Sequence, residues 1–127
     1  MKTLAIGGTR NLGPSLVDAL LEAGHRVSLF NRGITPGVLP DSVERLTGDR
    51  SDAAQLGAAL GRREFDLVVD TTLYTGTDAA SVVRILKGRV GRYVFLSTGQ
   101  VYLVRVGLER PYREEQYPGT SGWPRHF

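Results

Sequence analysis

Cysteine is absent from this 127-residue chain, and the sequence contains only two histidines. Without cysteine the protein forms no disulfide and offers no thiolate nucleophile or cysteine metal ligand. His25 and His126 are too few and too far apart for a metal cluster, so we expect no metal. The sequence also lacks an apolar run long enough to cross a bilayer and the features of a signal peptide. These absences predict a cytoplasmic protein with no membrane partner.

Charge of one sign is not concentrated anywhere along the chain. The net charge is +3, from 16 basic and 13 acidic residues, and the arginines are scattered among acidic residues. A nucleic-acid-binding arm or stripe is typically a run of like charge. The charge pattern therefore argues against a nucleic-acid partner.

Apolar runs of strand length alternate with amphipathic segments. Continuous apolar strands are typical of parallel sheets covered on both faces, and helical spacing of apolar residues predicts the segments between them. The predicted order is β-α-β-β-α-β-α-β, with strands at 2–6, 26–30, 43–47, 65–70 and 92–97 and helices starting near Pro14, Asp52 and Thr77 or Asp78. This order predicts an α/β fold with a doubly wound, Rossmann-like parallel sheet between two helix layers. Thr77 or Asp78 is the predicted cap of the third helix, which ends near Gly88 and whose inward residues we expect to be Ala79, Val82, Val83 and Leu86. The last strand, 92–97, is expected to be buried.

A glycine-rich turn joins the first strand to the first helix, and its residues are Gly7, Gly8, Thr9, Arg10, Asn11, Leu12 and Gly13. Backbone N–H groups and a helix N-terminus at such a turn accommodate a dinucleotide pyrophosphate. The second strand ends at Asn31 and Arg32, where a βαβ nucleotide-binding unit places its ribose-reading residue. The order of elements predicts nucleotide binding, although similar glycines also occur in turns that only need positive φ.

Ligands of parallel sheets lie at the carboxyl ends of the strands. Further candidates for that edge are Asp49, Arg50, the consecutive residues Asp70, Thr71 and Thr72, and the Ser97–Thr98 pair. Some of these candidates also have a purely structural alternative: Asp49, and with it Arg50, as part of a turn or helix cap, 31–33 as a simple turn, and Arg10 as a solvated surface arginine. Because Asn31 is neutral and Arg32 can pair with a 2′-phosphate, the sequence favours NADP slightly over NAD.

Four motifs together carry a family resemblance: 7–13 (GGTRNLG), 31–33 (NRG), 48–50 (GDR) and 97–102 (STGQVY). The chain resembles the NAD-dependent epimerase/dehydratase family of extended short-chain dehydrogenases from Met1 to about Tyr117. Arg10 stands where the usual motif has its middle glycine, as in a subgroup similar to the chloroplast stem-loop RNA-binding proteins. The resemblance implies an NAD(P) cofactor, an Asp49 near the adenine and a nucleotide sugar or other small molecule as substrate. It also places Thr98 at the family's catalytic serine or threonine, and the alternative is a strand-end residue that satisfies backbone groups of the loop.

The family's Tyr-x-x-x-Lys pair, in which the lysine lowers the tyrosine's pKa, is not found here. The only lysines are Lys2 and Lys87, and neither lies four residues after a tyrosine. We therefore expect a dinucleotide-binding domain at 1–103 and an irregular tail at 104–127, truncated before the catalytic helix and without turnover on its own. A binding-only protein and a site completed by another subunit are the alternatives. The last predicted strand would then be an open edge that permits self-association.

Two other functions remain open from the sequence. One is RNA binding, as the resemblance to the chloroplast subgroup implies, which would require a basic surface and salt-sensitive affinity. The other is a regulator that senses NADP, similar to NmrA-type proteins, and whose partner surface the sequence does not identify.

Overall fold

The computed structural model describes residues 1–34 and 39–97. Within these residues the chain forms β1 (Lys2–Ile6), α1 (Gly13–Glu22), β2 (Arg26–Asn31), β3 (Glu44–Thr47), α2 (Ala53–Leu60), β4 (Phe65–Asp70), α3 (Gly76–Leu86) and β5 (Val90–Phe95). The predicted order of elements is confirmed. None of the described helices is long and apolar enough to span a membrane.

The strands form one parallel sheet in the order β3-β2-β1-β4-β5. In the register of β1, Ile6 lies opposite Phe30 of β2 and Asp70 of β4. The carboxyl ends of these strands therefore meet at one edge, where parallel α/β sheets bind ligands. This is the Rossmann-like α/β fold that the alternation of the sequence predicts.

Apolar side chains cover both faces of the sheet. One core cluster combines strand residues with Leu56 and Leu60 of α2 and with Val82 and Leu86 of α3. The second cluster packs Val17 and Leu20 of α1 against other strand residues. Because alternate strand residues point to opposite faces, the buried strands read as continuous apolar runs in the sequence.

The third helix begins earlier than the sequence suggested. Thr75 is its N-cap, and the Thr75 hydroxyl accepts a hydrogen bond from the Asp78 N–H at 3.1 Å. The prediction that Thr77 or Asp78 caps α3 is therefore wrong. The prediction that Val83 faces inward is also wrong, since this side chain is 60% exposed, whereas Val82 and Leu86 are buried.

The last described strand is both earlier and more exposed than predicted. β5 spans Val90–Phe95 instead of 92–97, because its pairing with β4 already begins opposite Phe65. Four of its six residues are exposed, so the prediction of a buried strand is wrong. β5 is the outer strand of the described sheet and shares its ladder with β4 alone.

Candidate functional site

The glycine turn follows β1 in a backbone conformation that side chains rarely adopt. Gly7 and Gly8 have φ angles of +86° and +106°, and Asn11 has φ 52°. The Gly7 N–H donates to the Phe30 carbonyl at 2.9 Å, which fixes the turn to the end of β2. Two adjacent glycines are needed here because positive φ costs a residue with a Cβ.

Gly13 allows α1 to approach the turn closely. A Cβ built on Gly13 would lie 2.2 Å from the Gly8 Cα, so only glycine fits at this position. The helix N-cap is Leu12, whose side chain has no hydrogen-bond acceptor, whereas α2 is capped by the Asp52 carboxylate. The first N–H groups of α1 therefore have no side-chain cap from Leu12, as expected of a helix end that receives an anionic group.

A cleft of about 600 Å³ opens above the carboxyl ends of the strands. It is lined by nearly all the candidate residues of the sequence: Gly7, Gly8, Thr9, Arg10, Asn11, Leu12, Asn31, Arg32, Asp49, Arg50 and Thr71. Gly13 lies behind the turn and is buried. Thr98, the catalytic candidate, lies outside the described residues. The structure thus brings the candidates from four loops, those that follow β1, β2, β3 and β4, together around one cavity.

The end of β2 has a turn geometry at the cleft. The Asn31 side-chain oxygen accepts a hydrogen bond from the Gly33 N–H at 2.8 Å. The Asn31 carboxamide is therefore occupied in forming the turn. Arg32 is exposed and lines the cleft, so its guanidinium is accessible to a ligand.

Asp49 is also engaged in its own loop. Its carboxylate accepts from the Ser51 N–H at 2.9 Å, and its N–H donates to the Gln55 side-chain oxygen at 3.1 Å. This is a turn role, while the helix cap is Asp52, which accepts from Ala54 N–H at 2.9 Å. Asp49 nevertheless lines the cleft and is only half-buried.

Arg50 is a buried cation in the loop that follows β3. Its Nη1 donates to the Asp70 Oδ1 at 2.9 Å, and the Asp70 side chain is completely buried. Among the described residues, the Nε and Nη2 atoms of Arg50 are buried without a hydrogen-bond partner. The guanidinium of this cofactor candidate is thus turned toward the protein interior.

Asp70 accepts three further hydrogen bonds, one of them from the Thr72 hydroxyl to Oδ1 at 3.4 Å. The Thr72 N–H donates to Oδ1 at 2.9 Å, and the Tyr93 hydroxyl donates to Oδ2 at 2.7 Å. Burial, followed by the hydrogen bond to Asp70, raises the pKa of Tyr93 well above its ordinary value of 10. The Tyr93 hydroxyl therefore keeps its proton at neutral pH and donates a hydrogen bond to Asp70.

Thr71 connects β4 to the glycine turn. Its N–H and its hydroxyl both donate to the Ile6 carbonyl, at 2.9 and 3.1 Å. A Cβ on Gly7 would lie 2.3 Å from the Thr71 hydroxyl oxygen. Thr71 thus holds the two strand ends in close contact at the cleft.

Sequence reasoning placed Asp70 at this edge of the sheet but did not identify its network with Arg50 and Tyr93. A signal was present, since an aspartate that directly follows the apolar run 67–69 needs a charged or hydrogen-bonding partner once buried. Arg10, Arg32 and Arg50 were the cations available at the same edge. The choice of partner depends on the strand order, which brings Arg50 across two strands to Asp70.

No family model matches the chain. The chain is 32% identical over 98 residues to 2′-dehydrokanamycin reductase of Streptomyces kanamyceticus, which is 77% of this chain and 28% of the reductase. In an alignment 117 positions long it is 33% identical to the chloroplast stem-loop binding protein of 41 kDa b of Arabidopsis thaliana, and this alignment covers 80% of this chain and 30% of that protein. The chain therefore matches less than a third of the length of these curated relatives.

Several solved structures share the fold. The enzyme WbmH of Bordetella bronchiseptica, in complex with NAD+, superimposes with a TM-score of 0.70 at 22% identity, over 92% of this chain and 44% of that one. The epimerase Mth375 of Methanothermobacter thermautotrophicus has a TM-score of 0.71 at 20% identity, over 89% of this chain and 39% of that one. Vestitone reductase of alfalfa has a TM-score of 0.64 at 20% identity, over 79% of this chain and 37% of that one. At these identities the likeness establishes the fold.

Proposed function

We propose that this chain is the NAD(P)-binding portion of an oxidoreductase of the NAD-dependent epimerase/dehydratase family, within the extended short-chain dehydrogenases. The observation that carries the proposal is the cleft of about 600 Å³ above a glycine turn, a helix end and the ends of β1, β2 and β4. A dinucleotide fits this arrangement because its pyrophosphate is stabilised by the turn and the helix N-terminus. The similarity to a reductase and to an enzyme solved with NAD+ supports the same function.

The second part of the proposal concerns the choice of cofactor. Arg32 is exposed at the end of β2, and no acidic side chain stands at Asn31 to repel a 2′-phosphate. The Asn31 amide is engaged with Gly33, which leaves Arg32 as the side chain that would read the ribose. A guanidinium paired with a phosphate favours NADP. We therefore infer a preference for NADP over NAD.

The third part is that the chain binds the cofactor without catalysing turnover by itself. Its two lysines, Lys2 and Lys87, do not stand four residues after a tyrosine. A tyrosine without the lysine is a weak acid at neutral pH. A Thr98 hydroxyl would bind a substrate oxygen, and would need an acid–base couple from elsewhere to complete the reaction.

The experiment is a calorimetric titration of the chain with NADP and NAD at fixed salt. We expect NADP to bind more tightly, and Arg32→Asp to weaken NADP binding by roughly tenfold to a hundredfold, the effect of losing charge-assisted hydrogen bonds. Arg62→Asp is the matched control, since Arg62 is also exposed but lies outside the cleft. Equal NADP affinity in the two variants would remove Arg32 from the site. Absence of binding to both dinucleotides would refute the cofactor proposal itself.

RNA binding is a second candidate because one relative, at 33% identity, is a stem-loop binding protein. The test is a titration with a stem-loop RNA at two salt concentrations, since phosphate contacts make affinity fall steeply with salt. Tight, salt-sensitive RNA binding together with no dinucleotide binding would favour this function over the first.

A further inference from the structure

Arg50 crosses the carboxyl edge of the sheet inside the protein. It belongs to the loop after β3, whereas its partner Asp70 ends β4, and β2 and β1 lie between these strands. Both loops form walls of the cleft: Asp49 and Ser51 line it on one side, and Thr71 and Thr72 on the other. The ion pair thus connects two walls that lie far apart in the sheet.

The bonding of Asp70 makes this connection specific. One oxygen accepts from Arg50 and from the Thr72 N–H, and the other accepts from Tyr93 of β5. Asp70 itself is completely buried and is not among the residues that line the cleft. Any effect of Asp70 on a ligand therefore has to pass through the loops to which it is bonded.

We propose that Arg50 and Asp70, together with Tyr93, form a buried network that positions the two walls of the cleft, and that Arg50 acts through Asp70 instead of contacting the dinucleotide. The effect on affinity rests on the proposed cofactor function. The positioning of the loops does not.

Burial supports an indirect role for Arg50. Only 8% of the residue is exposed, and its remaining nitrogens, Nε and Nη2, are themselves buried. Arg50 lines the cleft, but these two nitrogens are not part of its accessible surface, so a ligand in the cleft does not meet them. In contrast, an ion pair in a low-dielectric interior holds its partners tightly, since the competing water is excluded.

The first test needs no ligand. The N–H groups of Ser51 and Asp52 donate to Asp49 in the loop after β3, so their hydrogen exchange reports whether this loop is held. Arg50→Met leaves a buried carboxylate and risks misfolding, whereas the double variant R50M/D70N removes both charges. We expect the Ser51 and Asp52 amides to exchange at least about tenfold faster in the double variant, with β1 amides unchanged.

The control is Arg63→Met, which breaks the exposed ion pair of Arg63 with Glu44, outside the cleft. This variant should keep the wild-type exchange at Ser51 and Asp52. If the double variant also exchanges these amides at the wild-type rate, the network does not position the loop and the inference is wrong.

The second test separates positioning from direct contact by the affinity for NADP. If Arg50 positions the cleft through Asp70, D70N and R50M/D70N both weaken binding by about tenfold, because either change breaks the same connection. If Arg50 instead contacts the dinucleotide, D70N frees the Arg50 guanidinium from its ion pair, and the affinity for NADP stays the same or rises. Only the double variant, which lacks the guanidinium, then loses affinity. If the chain binds no dinucleotide but the double variant still shows faster hydrogen exchange in the loop, the positioning role is confirmed and only the cofactor function is refuted.

Discussion

Gly13 determines how closely the first helix approaches the glycine turn. Because a Cβ at this position would lie 2.2 Å from the Gly8 Cα and 2.3 Å from the Gly8 carbonyl carbon, the clash is with backbone and cannot be relieved by a rotamer change. We expect Gly13→Ala to lower the free energy of unfolding by about 1–3 kcal/mol, the usual cost of overpacking. The turn would also shift away from its present position, so binding to the cleft should weaken. Urea unfolding measures the first effect, and dinucleotide titration the second.

Gly76 is the matched control for this prediction. It lies at the start of α3, has no positive φ, and a Cβ there would meet no atom within 4 Å. Gly76→Ala should leave binding unchanged and raise the free energy of unfolding by about 0.4–1 kcal/mol, since alanine restricts the unfolded chain. Equal stability of the two variants would show that the turn yields to a side chain at Gly13.

Residue patterns predicted the candidate site well where the signal is local. The glycine turn, Asn31, Arg32 and Asp49 follow strand ends in the sequence, and the structure brings them to one cleft. The turn at 31–33 and the loop role of Asp49 were also foreseen as alternatives, and both geometries are present. The partner of Arg50 could not be predicted in this way, because a contact between residues 20 positions apart depends on the order of strands.

Helix and strand boundaries show where local patterns mislead. Thr75 and Asp78 have the spacing of a capping box, but the prediction placed the cap directly before the apolar residues. The run 93–96 is the most apolar part of the last strand, so the prediction started that strand too late. The actual strand begins at Val90, where the ladder with β4 supplies hydrogen bonds that composition does not reveal.

The corrected cap of α3 predicts which threonine stabilises this helix. Thr75→Ala removes the side-chain acceptor of the Asp78 N–H, so the free energy of unfolding should fall by about 1 kcal/mol. Thr77→Ala changes an exposed threonine inside the helix and should alter it by less than about 0.5 kcal/mol. Thermal or urea unfolding of both variants decides between the caps, and the reverse order of effects would restore Thr77 as the cap.

At the scale of the whole molecule, the two outer strands of the described sheet differ in polarity. On one side, β3 carries polar residues, including Glu44 in an ion pair with Arg63. On the other side, Val94 and Phe95 at the end of β5 and Leu96 directly after it are 42%, 52% and 44% exposed. Exposed apolar residues on an outer strand favour pairing with another chain.

We therefore expect the isolated chain to self-associate through β5 as its concentration rises. Val94→Lys should shift the association to higher concentration, because a charge on an edge strand opposes strand pairing. Val83→Lys is the control, since it replaces the same type of side chain at an exposed position on α3. Sedimentation equilibrium over a concentration series measures both variants. If the chain stays monomeric at every concentration, the exposed strand does not cause association. If the two lysine variants shift the association equally, the chain associates through non-specific apolar contacts and not through strand pairing at β5.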